Sequence, residues 1–241
     1  MATSPVLTMA PKFFNTYEPK IVGPWMKWST VLWLMVVLFA ELSSADEDTQ
    51  SWTWLTLNLK TYEKIRYSLY LDYRRANEVS ESLLYLISPR VSYTPFNNFS
   101  TGMNYTYINF KSQGEFKYQH RVELEFNPQV KIADRIMVKN RNRLEYRWIE
   151  NKGDDNTRSR HRLEFNFPLN LSIAKSFYAS NEFFYDFRND KYNENRGIPC
   201  GLKFKIHDRA SMKLFYMVQS KRSADKWSTN HVIGSHIVMS L

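Results

Sequence analysis

The feature that most limits what this chain can fold into is its alternation. From Trp52 to Leu241, apolar and polar residues exchange places almost one by one. The final stretch shows it cleanly: Ile233, Ile237, Met239 and Leu241 share one parity, while Gly234, His236 and Ser240 share the other with Val232 and Val238. A period of two places successive side chains on opposite faces of an extended strand. Nothing beyond residue 45 sustains the 3.6-residue period of an amphipathic helix. Only seven glycines and nine prolines occur in 241 residues, and 16% of residues are aromatic. This composition suits long continuous strands better than a turn-rich sandwich.

The exception is the N-terminal segment. Lys27 precedes a ten-residue apolar run, Val31 to Ala40, and Ser43-Ser44-Ala45 follows it. The run is half the length of a spanning helix. A basic flank, a short apolar core and a small-residue exit predict a secretory signal peptide over 1–45 and a mature domain over 46–241. Met26 offers a second start of ordinary signal length. The mature part then holds 30 basic and 22 acidic residues, a charge of about +8. A basic balance raises nucleic acid as a partner, but the export signal argues against it. The single Cys200 has no partner for an intramolecular disulfide. It shares a predicted apolar parity with Ile198, Leu202, Phe204 and Ile206.

Eleven alternating runs can be counted between Trp52 and Leu241. Short turns fall near Glu63-Lys64, Asn97-Asn98, Ala133-Asp134 and His207-Asp208. Longer polar stretches fall at 76–81, 150–156, 189–195 and 221–226. Runs of this length, with short turns on one side and longer loops on the other, are the layout of an all-β, antiparallel transmembrane barrel of ten to twelve strands. An even number is usual, so twelve is favoured, with a hidden reversal at Asn127-Pro128.

One face of these strands is densely charged, with the signs mixed. It carries Arg121 and Glu123, then Arg141, Arg143, Glu145 and Arg147, then Arg158, Arg160, Arg162 and Glu164. In a membrane barrel this face lines the lumen and the apolar face meets lipid. In a soluble lipocalin-like barrel the faces are reversed. The signal peptide favours the lumen. Trp52, Trp54, Tyr73, Tyr93, Tyr107, Trp148 and Trp227 lie near strand ends, where aromatic girdles belong.

The terminal strand is similar to the last strand of bacterial outer-membrane barrels, so Ile233, Ile237, Met239 and Leu241 are read as a C-terminal assembly signal. The chain as a whole resembles a family of outer-membrane barrels of unknown function (domain of unknown function twenty-four-ninety). The resemblance rests on the Trp52-x-Trp54 opening, His120-Arg121, the run Arg141 to Arg147, Arg160-His161-Arg162-Leu163 and the His231 strand. It implies a fold and a compartment, the outer membrane of a Gram-negative-type bacterium. It brings no substrate, cofactor or catalytic residue. Outer-membrane lipid and the barrel-assembly machinery are the expected partners, with small solutes or anions as candidates for the lumen.

Chemistry is thinly marked. His120, His161, His207, His231 and His236 fall on separate strands, which does not favour a metal site. Ser159 lies two residues before His161, but a nucleophile needs its base within hydrogen-bond reach. No glycine-rich phosphate loop is present. The expectation is a non-enzymatic barrel of structural or narrow-channel type without a cofactor. A lipid-modifying enzyme with His161 or His231 as base, and a soluble periplasmic ligand-binding barrel, are the alternatives.

Overall fold

A computed structural model describes residues 48–132, 135–151, 156–169, 171–172, 174–223 and 226–241. The predicted signal segment and the Ala133-Asp134 turn lie outside the described residues. Eleven strands follow one another: β1 (Asp48–Tyr62), β2 (Ile65–Ala76), β3 (Glu81–Phe96), β4 (Phe99–Ser112), β5 (Glu115–Ile132), β6 (Ile136–Ile149), β7 (Asn156–Pro168), β8 (Ala174–Asp186), β9 (Lys191–His207), β10 (Ala210–Ser223) and β11 (Lys226–Ser240).

Each strand pairs antiparallel with the next, and the sheet closes where β1 meets β11. That last seam is parallel, from Asp48 opposite Asn230 to Asn58 opposite Ser240. Eleven strands therefore replace the favoured twelve. An odd number of up-and-down strands puts the first and last in the same direction, so one parallel seam is the geometric cost of closure. Closure also removes the unpaired edges that an open sheet would expose.

The expected reversal at Asn127-Pro128 is absent, because β5 runs straight through it. Phe126 opposes Asn142 and Gln129 opposes Lys139 in unbroken register. Pro128 has no N–H for the ladder, and the β5–β6 pairing skips this dipeptide without turning. Several stretches read as loops are strand: residues 191–195 open β9 and residues 221–223 close β10. The contrast between short and long connections is correspondingly weak. Two residues, Gln113 and Gly114, join β4 to β5 on the side expected to carry longer loops. Both have positive φ, as a tight hairpin turn requires.

A bulge corrects the reading of β9. Val218 opposes Gly197 while Tyr216 opposes Cys200, so one extra residue sits at Ile198-Pro199. The bulge switches the parity. Ile198 is buried inside, whereas Cys200 pairs with Tyr216 on the outer side and Gly201 returns inward. The missing Cβ at two glycines has a packing use. Tyr178 lies across Gly201, and Phe215 lies so close over Gly234 that an added Cβ would meet its ring at 2.1 Å.

Candidate functional site: the barrel interior

Side chains of one parity converge inside the barrel, and two walls of different character result. On the β5–β9 wall the carboxylates stand between arginines. Glu145 is fully buried. It accepts hydrogen bonds from Arg121 Nη1 (3.2 Å), Arg158 Nη2 (2.7 Å) and Arg160 Nη1 (2.8 Å), with Arg143 Nη1 at 3.6 Å. Glu123 pairs with Arg121 and Arg143 at 3.2 and 3.0 Å. Arg143 also binds Glu125. Glu182 receives Arg160 and Arg141 at 3.0 and 2.6 Å. Glu194 receives Arg196 at 2.7 Å and Arg158 at 3.6 Å. The register explains the pattern. Glu123 opposes Glu145, and Glu145 opposes Arg158, while arginines lie two residues away on the same face. Each of these buried charges thus finds an opposite one beside it, the condition for tolerating ions away from bulk water.

Aromatic faces take up other guanidinium groups. Phe184 is fully buried among Arg158, Arg160 and Arg196, whose Cζ atoms lie 4.4 to 4.8 Å from its ring centroid. Arg74 sits 3.6 Å over Trp52 and donates to Asp72 at 2.6 Å. Arginine over an aromatic face gains from the ring quadrupole, more so when desolvated.

The other wall, where β8 to β11 meet β1, carries an apolar cluster. Trp52, Tyr178, Ile198, Phe215, Met217 and Val232 form one buried cluster, with Trp54 packed against it. This corrects the girdle assignment of Trp52 and Trp54, which point inward. Tyr73, Tyr93, Tyr107, Trp148 and Trp227 are exposed on the outer face. Trp52 and Trp54 share parity with inward Gln50 on β1, and parity alone does not tell lumen from rim.

Between the walls lies a cavity of about 610 Å3. Its lining extends from Lys111, Ile149 and Lys221, beside one set of connections, down to Arg90, Glu164, Lys213 and His236. Arg121, Glu123, Arg141, Arg143, Arg147, Arg158, Arg160, Arg162 and Glu164 all line it, and Glu145 lies in the network behind them. Arg74, Arg90, Glu182, Glu194 and Arg196 join them. Glu194 falls in the stretch 189–195 read as a polar loop, and Arg196 directly follows it. The parity of Glu194, Arg196 and Ile198 was the available signal.

The terminal residues Ile233, Met239 and Leu241 are exposed on the outer face, and Ile237 shares their parity. The histidines are dispersed. His120 pairs with Tyr105, His161 with Asn142, His231 with Tyr216 and His236 with Thr56, and His207 accepts from the Arg209 N–H. His161 and Ser159 share the outer face of β7. Among the described residues, no three His, Cys, Asp or Glu side chains are grouped to hold a metal ion.

Fold and interior together define a closed, all-β, eleven-strand barrel with an ion-paired interior. The chain matches the family model described as Protein of unknown function (DUF2490) over residues 49–230, and it belongs to that family. No curated protein and no solved structure matches it.

Proposed function

We propose that this protein is an outer-membrane β-barrel of structural or narrow-channel type, whose cation-rich lumen admits anions. The observation that carries the reading is the division of the two faces. Inward Glu145 and Glu123 are 0% and 1% exposed, while outward Leu124, Phe126 and Ile233 are 42%, 50% and 51% exposed. In water, such an exterior would be a continuous apolar belt far larger than the patches monomeric soluble proteins carry. In a bilayer it is the required surface.

Many of the outer aromatic residues lie toward the strand ends. Near one end stand Tyr73, Tyr85, Phe116, Tyr118, Trp148, Tyr192 and Trp227, with Tyr73 stacked on Tyr85 at 5.2 Å. Near the other stand Tyr62, Tyr93 and Phe96, and aliphatic residues such as Val91, Leu124, Leu144 and Leu163 lie between. Aromatic rims flanking an aliphatic band match a barrel in a membrane. Strands of 12 to 18 residues exceed the roughly 9–11 that a tilted spanning strand needs. A soluble ligand-binding barrel wants the opposite orientation of these faces.

The test is expression of the full chain in a Gram-negative host. The protein is expected in envelopes, resistant to alkaline carbonate, with an electrophoretic mobility that changes on boiling. Complete release by carbonate without detergent would refute membrane insertion.

A further inference from the structure

The cations of the cavity are not evenly compensated. Thirteen basic and five acidic side chains line it, and adding the carboxylates of buried Glu145 and Asp186 and half-buried Glu125 still leaves a clear positive excess. The excess is local. On the β5–β9 wall most arginines have a carboxylate. Toward the other end of the cavity Arg90 and Arg162 have none within ion-pair distance among the described residues. Arg90 instead lies 3.8 Å over the Tyr70 ring and donates weakly to Ser88 Oγ at 3.4 Å. Lys213 stands 3.5 Å from Glu164 and 4.5 Å over the Tyr178 ring.

These three cations share the cavity with a polar aromatic wall. Trp54 and Tyr70 both lie against His236, with ring centroids at 5.7 and 6.2 Å, and His236 Nε2 is anchored 2.9 Å from Thr56 Oγ1. The indole N–H of Trp54 is buried and has no acceptor among the described residues. A buried donor without an acceptor and two arginines without a paired carboxylate are costly inside a protein. A ligand that supplies an anionic group and an acceptor satisfies them together.

We propose that this end of the cavity is a binding site for a small organic anion: a carboxylate or phosphate monoester joined to a flat ring. Arg90, Arg162 and Lys213 take the anionic group through charge-assisted hydrogen bonds. Trp54 and Tyr70 take the ring, and the Trp54 N–H takes an acceptor on it. A cavity of about 610 Å3 is within the usual size of small-molecule sites. The inference deepens the anion-admitting reading above and rests on the lumen being open to solutes.

The test is calorimetric titration of the detergent-solubilised full chain with 4-nitrophenyl phosphate, inorganic phosphate and uncharged 4-nitrophenyl glucoside. The aryl phosphate is expected to bind, the glucoside not, and inorganic phosphate more weakly than the aryl ester. Binding is expected to weaken as sodium chloride is added. Arg90→Gln and Arg162→Gln each weaken the aryl phosphate by at least about tenfold. Trp54→Leu removes the advantage of the aryl ester over inorganic phosphate. No binding, equal binding of the glucoside, indifference to salt, or unchanged affinity in well-folded arginine variants would each overturn the site. The carbonate and gel tests above are read separately. A protein that passes them and fails here loses the site but keeps the membrane reading, and one that binds but fails them does the reverse.

Discussion

Replacing Glu145 by glutamine tests whether the interior network holds the barrel together. The substitution keeps the volume and removes one charge. It strikes a carboxylate that is fully buried and takes four hydrogen bonds from three arginines, with a fourth arginine at 3.6 Å. Glutamine leaves one carbonyl acceptor and turns an NH2 group toward guanidinium donors. A hydrogen bond to a charged group contributes about 1.5–3 kcal/mol net. Removing one partner from a buried ion pair costs about 3–5 kcal/mol. The neighbouring Glu123 and Glu182 still hold some of the arginines, so about 4 kcal/mol is expected rather than the sum of every bond. With a urea dependence of about 2 kcal/mol per molar, the unfolding midpoint falls by about 2 M. The assay is urea unfolding of the solubilised barrel followed by tryptophan fluorescence. Asp208→Asn is the control. Lys205, hydrogen-bonded to Asp208, holds that carboxylate below its usual range. Both side chains are exposed to water, so the midpoint is expected to stay put. If Glu145→Gln shifted the midpoint no more than the control, the network would be solvated decoration.

Gly234→Ala drives a Cβ into the Phe215 ring at 2.1 Å and destabilises the barrel by about 1–3 kcal/mol in the same unfolding assay. Val79 is β-branched and holds a φ of 65° in the β2–β3 connection; Val79→Gly relieves that strain and raises the midpoint by about 1 kcal/mol equivalent. Leu124→Lys puts a charge in the middle of the outer aliphatic band. It costs about 2–4 kcal/mol if that band faces lipid, read as loss of boiling-sensitive protein from envelopes, whereas an unchanged yield would speak for a water-facing exterior.

Much of this architecture is legible in the chain because a strand of period two declares its faces residue by residue. The run Arg158, Arg160, Arg162 and Glu164 alternates with Ser159, His161 and Leu163, and these two sets face opposite sides of β7. Neighbour relations are another matter. The parallel seam of β1 and β11 depends on which strands meet after closure, and no local pattern encodes it. Parity also fails where both faces are apolar. On β1, Trp52 and Trp54 fill the interior while Leu55, Leu57 and Leu59 share the opposite parity. A single bulge at Ile198-Pro199 then reverses the assignment of everything on one side of it. The uncompensated Arg90 was missed for a related reason. It stands beside Pro89 in a run that reads by its apolar partners, and its lack of a carboxylate appears only when β2, β7 and β10 are brought around the same cavity.

We infer that the apolar face looks out into lipid and the charged face looks in. Nitroxide labels on a Cys200→Ser background, one at a time at outward Val91, Leu124 and Leu144 and at inward Ser88 and Thr106, test it directly in lipid vesicles. Power-saturation measurements compare collisions with oxygen, which partitions into lipid, and with a water-soluble nickel chelate. The three outward labels are expected to favour oxygen and the two inward labels are not. Outward labels that meet nickel as freely as oxygen would contradict it.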